Sequence, residues 1–321
     1  MDKAIQLLQA GDLVVIPTET VYGLAANALN PSAVEKIYAL KQRPATNPLI
    51  CHVASIEAML LYVAPTARAQ IEPLLGKLSL FWPGPLTVVV PKADTIPAII
   101  SAGQPSVALR IPNHPLTLSL LSQLNFPLAA PSANRSNYVS PTKPEHVRNE
   151  FKSECPYLLD GGPCTVGLES TVLSLVDPTQ PMILRPGAIT QSQLAQALGI
   201  PVAIATQELS HQIPHQSPGQ GALHYSPKTP LQLLSTFQFE TSPYTRIGLI
   251  AFSADKGAEY DFAAVEVLSE NQNQRMIAAR LYDALRSLDA MNLELILIDS
   301  CEPVGIGAAI MDRIQRALTK K

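Results

Sequence analysis

The sequence predicts an α/β protein built from two unequal units joined by a long linker. Three observations carry that expectation. Short apolar runs alternate with helical stretches through the first 200 residues. The pattern then breaks at residues 207–230, QELSHQIPHQSPGQGALHYSPKTP, which are rich in Pro, Gln, His and Gly and show no periodicity. Beyond it, two apolar runs flank a long helical stretch. The expected layout is 1–204 for the first unit, 205–230 for the linker and 231–321 for the second. The first unit is expected to be an open, twisted mixed sheet with helices and a polar ligand cleft. The second is expected to be a small Rossmann-like α/β domain.

The elements follow in order. Ala4, Ile5, Leu7 and Leu8 fall at helical spacing, and Gly11 can close that helix. LVVI (13–16) reads as a buried strand stopped by Pro17. Asn30-Pro31 supplies an N-cap and an N1 proline for a helix carrying Val34, Ile37 and Tyr38. That helix delivers Lys41 and Arg43 at its end. Strands follow at LICHV (49–53), LTVVV (86–90), VALRI (107–111), PLAA (127–130), TVLSLV (171–176) and MILR (182–185). Past the linker, RIGLIAF (246–252) and the apolar run 293–298 read as strands of a parallel sheet. Met276, Ala279, Leu281, Leu285 and Leu288 mark one face of a helix between them, and GIGAAIMDRIQRAL (305–318) closes the chain as another. GIGAAI lacks the third glycine of a dinucleotide fingerprint, so its glycines read as helix packing.

Composition narrows the function. Of 321 residues, 47% are hydrophobic and 15% charged, with a net charge of −3. A sizeable core is available, and the broad basic face of a dedicated nucleic-acid binder is lacking. The 29 prolines fall mostly at the ends of apolar runs, which stiffens the loops that carry chemistry. The four cysteines form no CxxC pair, and His211 and His215 lie in irregular sequence, so no zinc site is expected. The N-terminus lacks the marks of a signal peptide, and no apolar run reaches transmembrane length. A cytoplasmic location with no membrane association is expected.

No Walker A sequence, GxSxG, HExxH or glycosidase-like acid pair is present. Polar loops at strand ends remain. IPTETVYGL (16–24) places Thr18, Glu19 and Thr20 directly after a buried strand. KQRPATNP (41–48) follows the next helix, and VALRIPNHP (107–115) sets Arg110 at a strand end. APSANRSNYVSPT (130–142) is dense in hydroxyl and amide side chains, and GLESTV (167–172) and LRPG (184–187) add Ser170 and Arg185. In open α/β sheets, ligands bind in the crevice beyond strand ends. The first 200 residues hold 13 Lys/Arg and 13 Asp/Glu, so a cationic site must come from local placement. Lys41, Arg43, Arg110 and Arg185 sit in loop motifs with no adjacent acid. A triphosphate accounts economically for such a set, because guanidinium groups grip phosphate oxygens bidentately. Pro44 and Pro48 would hold the loop in place beforehand. Each feature also has a structural alternative. Thr18 and Thr20 could be turn residues, and Lys41 and Arg43 could complement a helix dipole. Arg110 could sit in an ion pair, His52 in the core, and Ser170 at a strand edge.

PTETVYGL, KQRPATNPL, VALRIPNHP, APSANRS, GLESTV and LRPG, in this order, resemble the YrdC-like domain of threonylcarbamoyl-AMP synthases over residues 5–200. The tail containing GIGAAIMDRIQRA resembles the extra domain of the long form of that family. The resemblance implies formation of threonylcarbamoyl-adenylate and pyrophosphate from L-threonine, bicarbonate and ATP. It implies that Thr20, His52, Arg110, Ala130 and Ser170 hold L-threonine, with Arg110 on its carboxylate. It implies that Lys41, Arg43, Asn47, Ser106, Ser132, Ser140 and Arg185 hold ATP, with Mg2+ riding on the phosphates. Ser217-Pro218-Gly219 through His224-Tyr225 matches the family linker, and Tyr225 would reach the nucleotide as part of a lid. Gln220 to Leu223 departs from the family pattern, which carries a basic residue there. The product would pass to a tRNA threonylcarbamoyltransferase, with a weak tRNA contact conceivable. The alternative from another class is a tRNA- or dsRNA-binding module without synthase activity.

Overall fold

A computed structural model describes residues 1–205, 225–256 and 260–318, and their strands fall into two separate sheets. The linker motif Ser217 to His224 lies outside the described residues, as do His211 and His215. In the first unit the strands are β1 (Val14–Ile16), β2 (Gly23–Asn27), β3 (Ile50–His52), β4 (Leu86–Pro91), β5 (Ser106–Arg110), β6 (Leu128–Ala129), β7 (Tyr157–Leu158), β8 (Thr171–Ser174), β9 (Met182–Arg185) and β10 (Ala203–Ile204). They form one mixed sheet in the order β10-β9-β8-β4-β5-β3-β6-β2-β1-β7. β3, β4 and β5 are buried along almost their whole length, because packing covers both faces of the sheet.

Every strand expected from an apolar run is present, with its ends within two residues of the expected ones. β2 was not expected. Its sequence, GLAAN, is poor in strand formers. Its neighbours decide its conformation, through antiparallel pairing with β1 on one side and β6 on the other. Small residues are also required there, since a Cβ on Gly23 would lie 3.2 Å from Ala130 Cβ and 3.3 Å from Ile16 Cγ1.

Strand register positions the polar residues. His52 of β3 pairs with Arg110 of β5, and Arg110 pairs with Thr87 of β4. Thr87 pairs with Val172 of β8, and Val172 with Arg185 of β9. Directly paired residues face the same side of a sheet. One transverse row across five strands therefore reads His52, Arg110, Thr87, Val172, Arg185. A register shift between Val172 and Leu173 brings Arg185 into this row. Such irregularities re-aim side chains beside binding sites.

The second unit has β11 (Leu231–Leu233), β12 (Ile247–Ala251), β13 (Ala264–Val267) and β14 (Leu295–Ile298), in the order β11-β14-β12-β13. All three pairings are parallel. Helices Gln274–Asp289 and Ile306–Leu318 contribute to its core. The first of these buries Ile277, Ala278, Leu281, Tyr282 and Leu285, while Met276 is exposed, so its inner face is rotated from the expected one. Gly307 is needed for close packing, because a Cβ there would meet the Glu302 carbonyl at 2.1 Å. No helix among the described residues is long and apolar enough to cross a membrane.

The two units share a core, in which Val21, Val139 and Leu168 of the first pack with the helices of the second. Polar contacts cross the same boundary. Tyr138 donates to Asp289 (2.7 Å), Lys143 and His146 both meet Asp283 (2.7 and 3.1 Å), and Arg286 pairs with Glu150 (3.1 Å). Bonding to His146, helped by Lys143, holds the Asp283 carboxyl down at about 2. Burial pushes Glu169 up, but Arg313 and Arg185 outweigh burial and hold it at about 2 as well. Both folded values lie below the ordinary carboxylate range of about 3.9–4.3, so these groups stabilise the docked units above that range. Their contribution is lost as the pH falls through it towards about 2. The melting temperature is therefore expected to drop between about pH 5 and pH 2.5, and a flat scan across that window would contradict this assignment.

Candidate active site

Thr20, His52, Arg110, Ala130 and Ser170 line one cavity over the transverse row. Arg43, Ser132, Arg185 and Tyr225 line it too. Four other residues singled out in the sequence, Lys41, Asn47, Ser106 and Ser140, are not among its lining residues.

Arg110 has no acid beside it in its own loop motif, but the fold brings one to it, as the ion-pair alternative allowed. Its Nη2 lies 2.7 Å from Glu19 Oε1, a residue distant in sequence, and both side chains are 5% exposed. The ion pair is not aligned as a hydrogen bond, so both atoms keep directional capacity unused among the described residues. Glu19 is fixed from behind by the Asn113 backbone N–H, which donates to Oε2 at 3.0 Å. Beside it His52 is buried, and its Nδ1 has no hydrogen-bond partner among the described residues. Burial, and then the charge of Arg110, push this imidazole down to about 3. His52 is therefore neutral at any working pH. A buried imidazole nitrogen left unpaired is costly unless a ligand completes it.

The hydroxyls are held by one another. Thr18 and Thr20 share a bond of 2.8 Å, and Thr18 donates to the Val21 carbonyl, so Thr18 is a turn residue that also faces the cavity. Ser170 and Thr87 share a bond of 2.7 Å. Arg185 donates through Nη2 to Ser170 Oγ (3.2 Å) and to the Ser170 carbonyl (3.0 Å). One guanidinium thus fixes the GLESTV loop against the end of β9.

The KQRPATNP loop closes on itself. Gln42 takes a left-handed conformation (φ +52°) and turns the chain out of the helix Pro31–Lys41. Arg43 then donates to the carbonyls of Asn47 (3.3 Å) and Pro48 (3.1 Å). Asn47 enters the site's architecture through that carbonyl. Burial brings Arg43 down to about 10, which still leaves it cationic near neutral pH. Lys41 is buried and donates to the carbonyls of Ser132 and Asn134 at 2.5 Å each. Burial, then Arg43, push its ammonium well below the usual lysine range. Lys41 therefore braces the Ser/Asn loop. Ser106 opens β5 opposite Pro91, and Ser140 donates to Glu169 Oε1 at 2.6 Å.

Sequence reasoning passed over Glu169, Tyr282 and Arg313. Glu169 lines the cavity. Arg313 Nε donates to its Oε2 at 2.9 Å, and the Tyr282 hydroxyl donates to the same oxygen at 2.8 Å. A signal for Arg313 was present, because it falls in phase with buried Ile310, Ile314 and Ala317, which puts a charge on an apolar helix face. At this end of the sheet Arg43, Arg110, Arg185 and Arg313 face Glu19 and Glu169. Arg313 is balanced in turn by Asp312, so Arg43, Arg110 and Arg185 stand against Glu19 and Glu169, an excess of positive charge that suits an anionic ligand.

A family model described as telomere recombination matches residues 6–187, and one described as the C-terminal domain of threonylcarbamoyl-AMP synthase matches residues 189–318. A threonylcarbamoyl-AMP synthase of Bacillus subtilis is 39% identical over 98% of this chain and 92% of its own length. The chain belongs to the threonylcarbamoyl-AMP synthase family. Another synthase of that name, from Pyrococcus abyssi, is 36% identical over 98% of this chain and 92% of its own length. The crystal structure of P. abyssi Sua5 complexed with L-threonine superposes with a TM-score of 0.86 at 34% identity, covering 98% of this chain and 93% of that one. The two-unit architecture is thus that of the long synthases, with both units matched.

Proposed function

We propose that the cavity forms threonylcarbamoyl-adenylate and pyrophosphate from L-threonine, bicarbonate and ATP. The observation that carries this reading is the register pair His52–Arg110, aimed at the same cavity as Arg43 and Arg185. It sets an amino-acid site beside a polyanion site. Arg110, already oriented by Glu19, takes the threonine carboxylate. The unpaired Nδ1 of neutral His52 and the hydroxyls of Thr20 and Ser170 orient the rest of the molecule, with Ala130 against it. Arg43, Ser132, Arg185 and Tyr225 face the nucleotide, Lys41, Asn47 and Ser140 brace that wall through Ser132, Arg43 and Glu169, and Ser106 is placed with the nucleotide by the family resemblance alone.

The chemistry needs no protein nucleophile. Bicarbonate takes up a proton and loses water to give carbon dioxide, and the threonine amine, having lost one proton, adds to it and releases a second, giving a carbamate. A carbamate oxygen attacks the α-phosphorus, the bond to the β-phosphate bridging oxygen breaks, and pyrophosphate carries away the electron pair. Arg43 and Arg185 meet the charge that develops, and fixed positioning supplies most of the remaining acceleration. Cys51 and Cys164 stay out of the chemistry, because burial pushes both thiols up to about 12. Glu19 and Glu169 are each tied to an arginine, so a Mg2+ ion entering with ATP is expected on phosphate oxygens and water rather than in a carboxylate cage. When bound, it neutralises triphosphate charge.

The product is a labile mixed anhydride, so a transferase that modifies tRNA is its natural consumer, in the cytoplasm. A net charge of −3 and the burial of the site's cations speak against RNA binding as the main role. The test is mass spectrometry of the product made with 13C-bicarbonate. The expected result is threonylcarbamoyl-AMP carrying one label, and its absence from reactions that consume ATP would contradict the proposal.

A further inference from the structure

We propose that Tyr282 and Arg313, one on each helix of the second unit, are positioning residues for the synthase site, fixing the Glu169 carboxylate and the Tyr225 ring that form one wall of its cavity. The inference rests on the synthase reading and deepens it.

The geometry assigns both residues to the same task. Glu169 Oε1 accepts from Ser140, and Oε2 accepts from the Tyr282 hydroxyl (2.8 Å) and from Arg313 Nε (2.9 Å). Arg313 Nη2 also donates to the Pro186 carbonyl (3.0 Å), next to Arg185. A single guanidinium therefore ties the GLESTV loop to the LRPG loop. The same two side chains hold the Tyr225 ring. Tyr282 stacks on it with centroids 5.6 Å apart and planes 22° apart, and the Arg313 guanidinium lies 5.3 Å from its centroid.

Docking alone does not need this arrangement. Ile310 and Ile314 already supply apolar contact from the same helix as Arg313. A buried ion pair adds little net stability over apolar packing, because desolvation offsets the attraction. What the pair does add is one fixed orientation for a carboxylate on the cavity wall. Glu169 faces Arg313, Arg185, Tyr282, Tyr225 and Ser140, and Asp312 sits behind Arg313 at 2.5 Å from its Nη1. Ionised Glu169 is bonded to Arg313 and attracts Arg185, which lines the same cavity, so its charge favours Arg185 in the wall facing the nucleotide. Protonated, it would leave two buried arginines facing each other and would give up its pull on Ser140. The second unit thus takes part in catalysis through Glu169, and does more than support the linker.

The test uses the full-length chain with Arg313→Gln and Tyr282→Phe, reading kcat, both KM values and the pH dependence of pyrophosphate release. Arg313→Gln is expected to lower kcat about 10²-fold, the loss that a small misplacement of a catalytic wall produces, with the threonine KM nearly unchanged. Its acid limb is expected to move upward by about one pH unit or more, because burial then raises a Glu169 that has lost its main counter-charge. Tyr282→Phe keeps the ring stack and is expected to lose kcat about tenfold, with a smaller shift of the same limb. If Arg313→Gln does not fold, Tyr282→Phe decides. Variants with wild-type kcat and an unmoved acid limb would overturn the positioning role alone. A wild-type chain that releases no pyrophosphate would overturn the synthase reading and the positioning role with it.

Discussion

Arg110→Ala is expected to raise the apparent KM for threonine by about 10²–10³-fold while the KM for ATP changes by no more than a few-fold. The asymmetry follows from the place of Arg110 in its row, directly between His52 and Thr87 and three strands away from Arg185 of β9. A second effect accompanies it. Glu19 is 5% exposed and loses its counter-charge, and breaking a buried pair in this way costs about 3–5 kcal/mol of stability. The two effects separate in the double variant Arg110→Met with Glu19→Gln. Removing both charges should recover most of the melting temperature and none of the threonine KM. Loss of ATP binding with threonine binding intact would mean that Arg110 belongs to the nucleotide.

Gly167→Ala is expected to part the two units. Gly167 has φ +74°, and a Cβ there would lie 2.5 Å from Ala279 Cα and 2.6 Å from the Ala279 carbonyl oxygen. Both neighbours are backbone of helix Gln274–Asp289, so no side chain can swing aside. The left-handed conformation adds about 1 kcal/mol of strain for alanine. Helix and strand content should survive, since each sheet is complete within its own unit. Activity should fall about 10²-fold or more, because Glu169 and Tyr225 lose the helix that carries Tyr282. A more expanded particle in small-angle scattering is the accompanying sign. A variant as compact and as active as the parent would contradict the close-packed interface.

Much of this fold was legible because apolar runs and breakers mark it locally. LTVVV, VALRI and MILR are strands where the pattern put them, and Asn30-Pro31 opens its helix through an N-cap bond to the Ala33 N–H. β2 was hidden because its Gly and Ala residues gain their conformation from two neighbouring strands. The site was legible as a set of loops, and its internal arrangement was not. His52 and Arg110 become neighbours only through the register of β3 on β5. Glu19 and Arg110, like Glu169 and Arg313, are pairs that only the fold brings together. The KQRPATNP cations show the same limit. Spacing placed two charges at a helix end, but burial and carbonyl partners separate them, with Lys41 bracing a loop while Arg43 lines the cavity.

The most direct test of the central claim is pyrophosphate release from ATP and Mg2+, with threonine and bicarbonate supplied together and then each withheld. Release that requires both is the expected result, because ATP bound beside an empty Arg110–His52 site meets no carbamate to attack its α-phosphorus. Release at an undiminished rate without threonine, or no release from the folded chain with everything present, would contradict it.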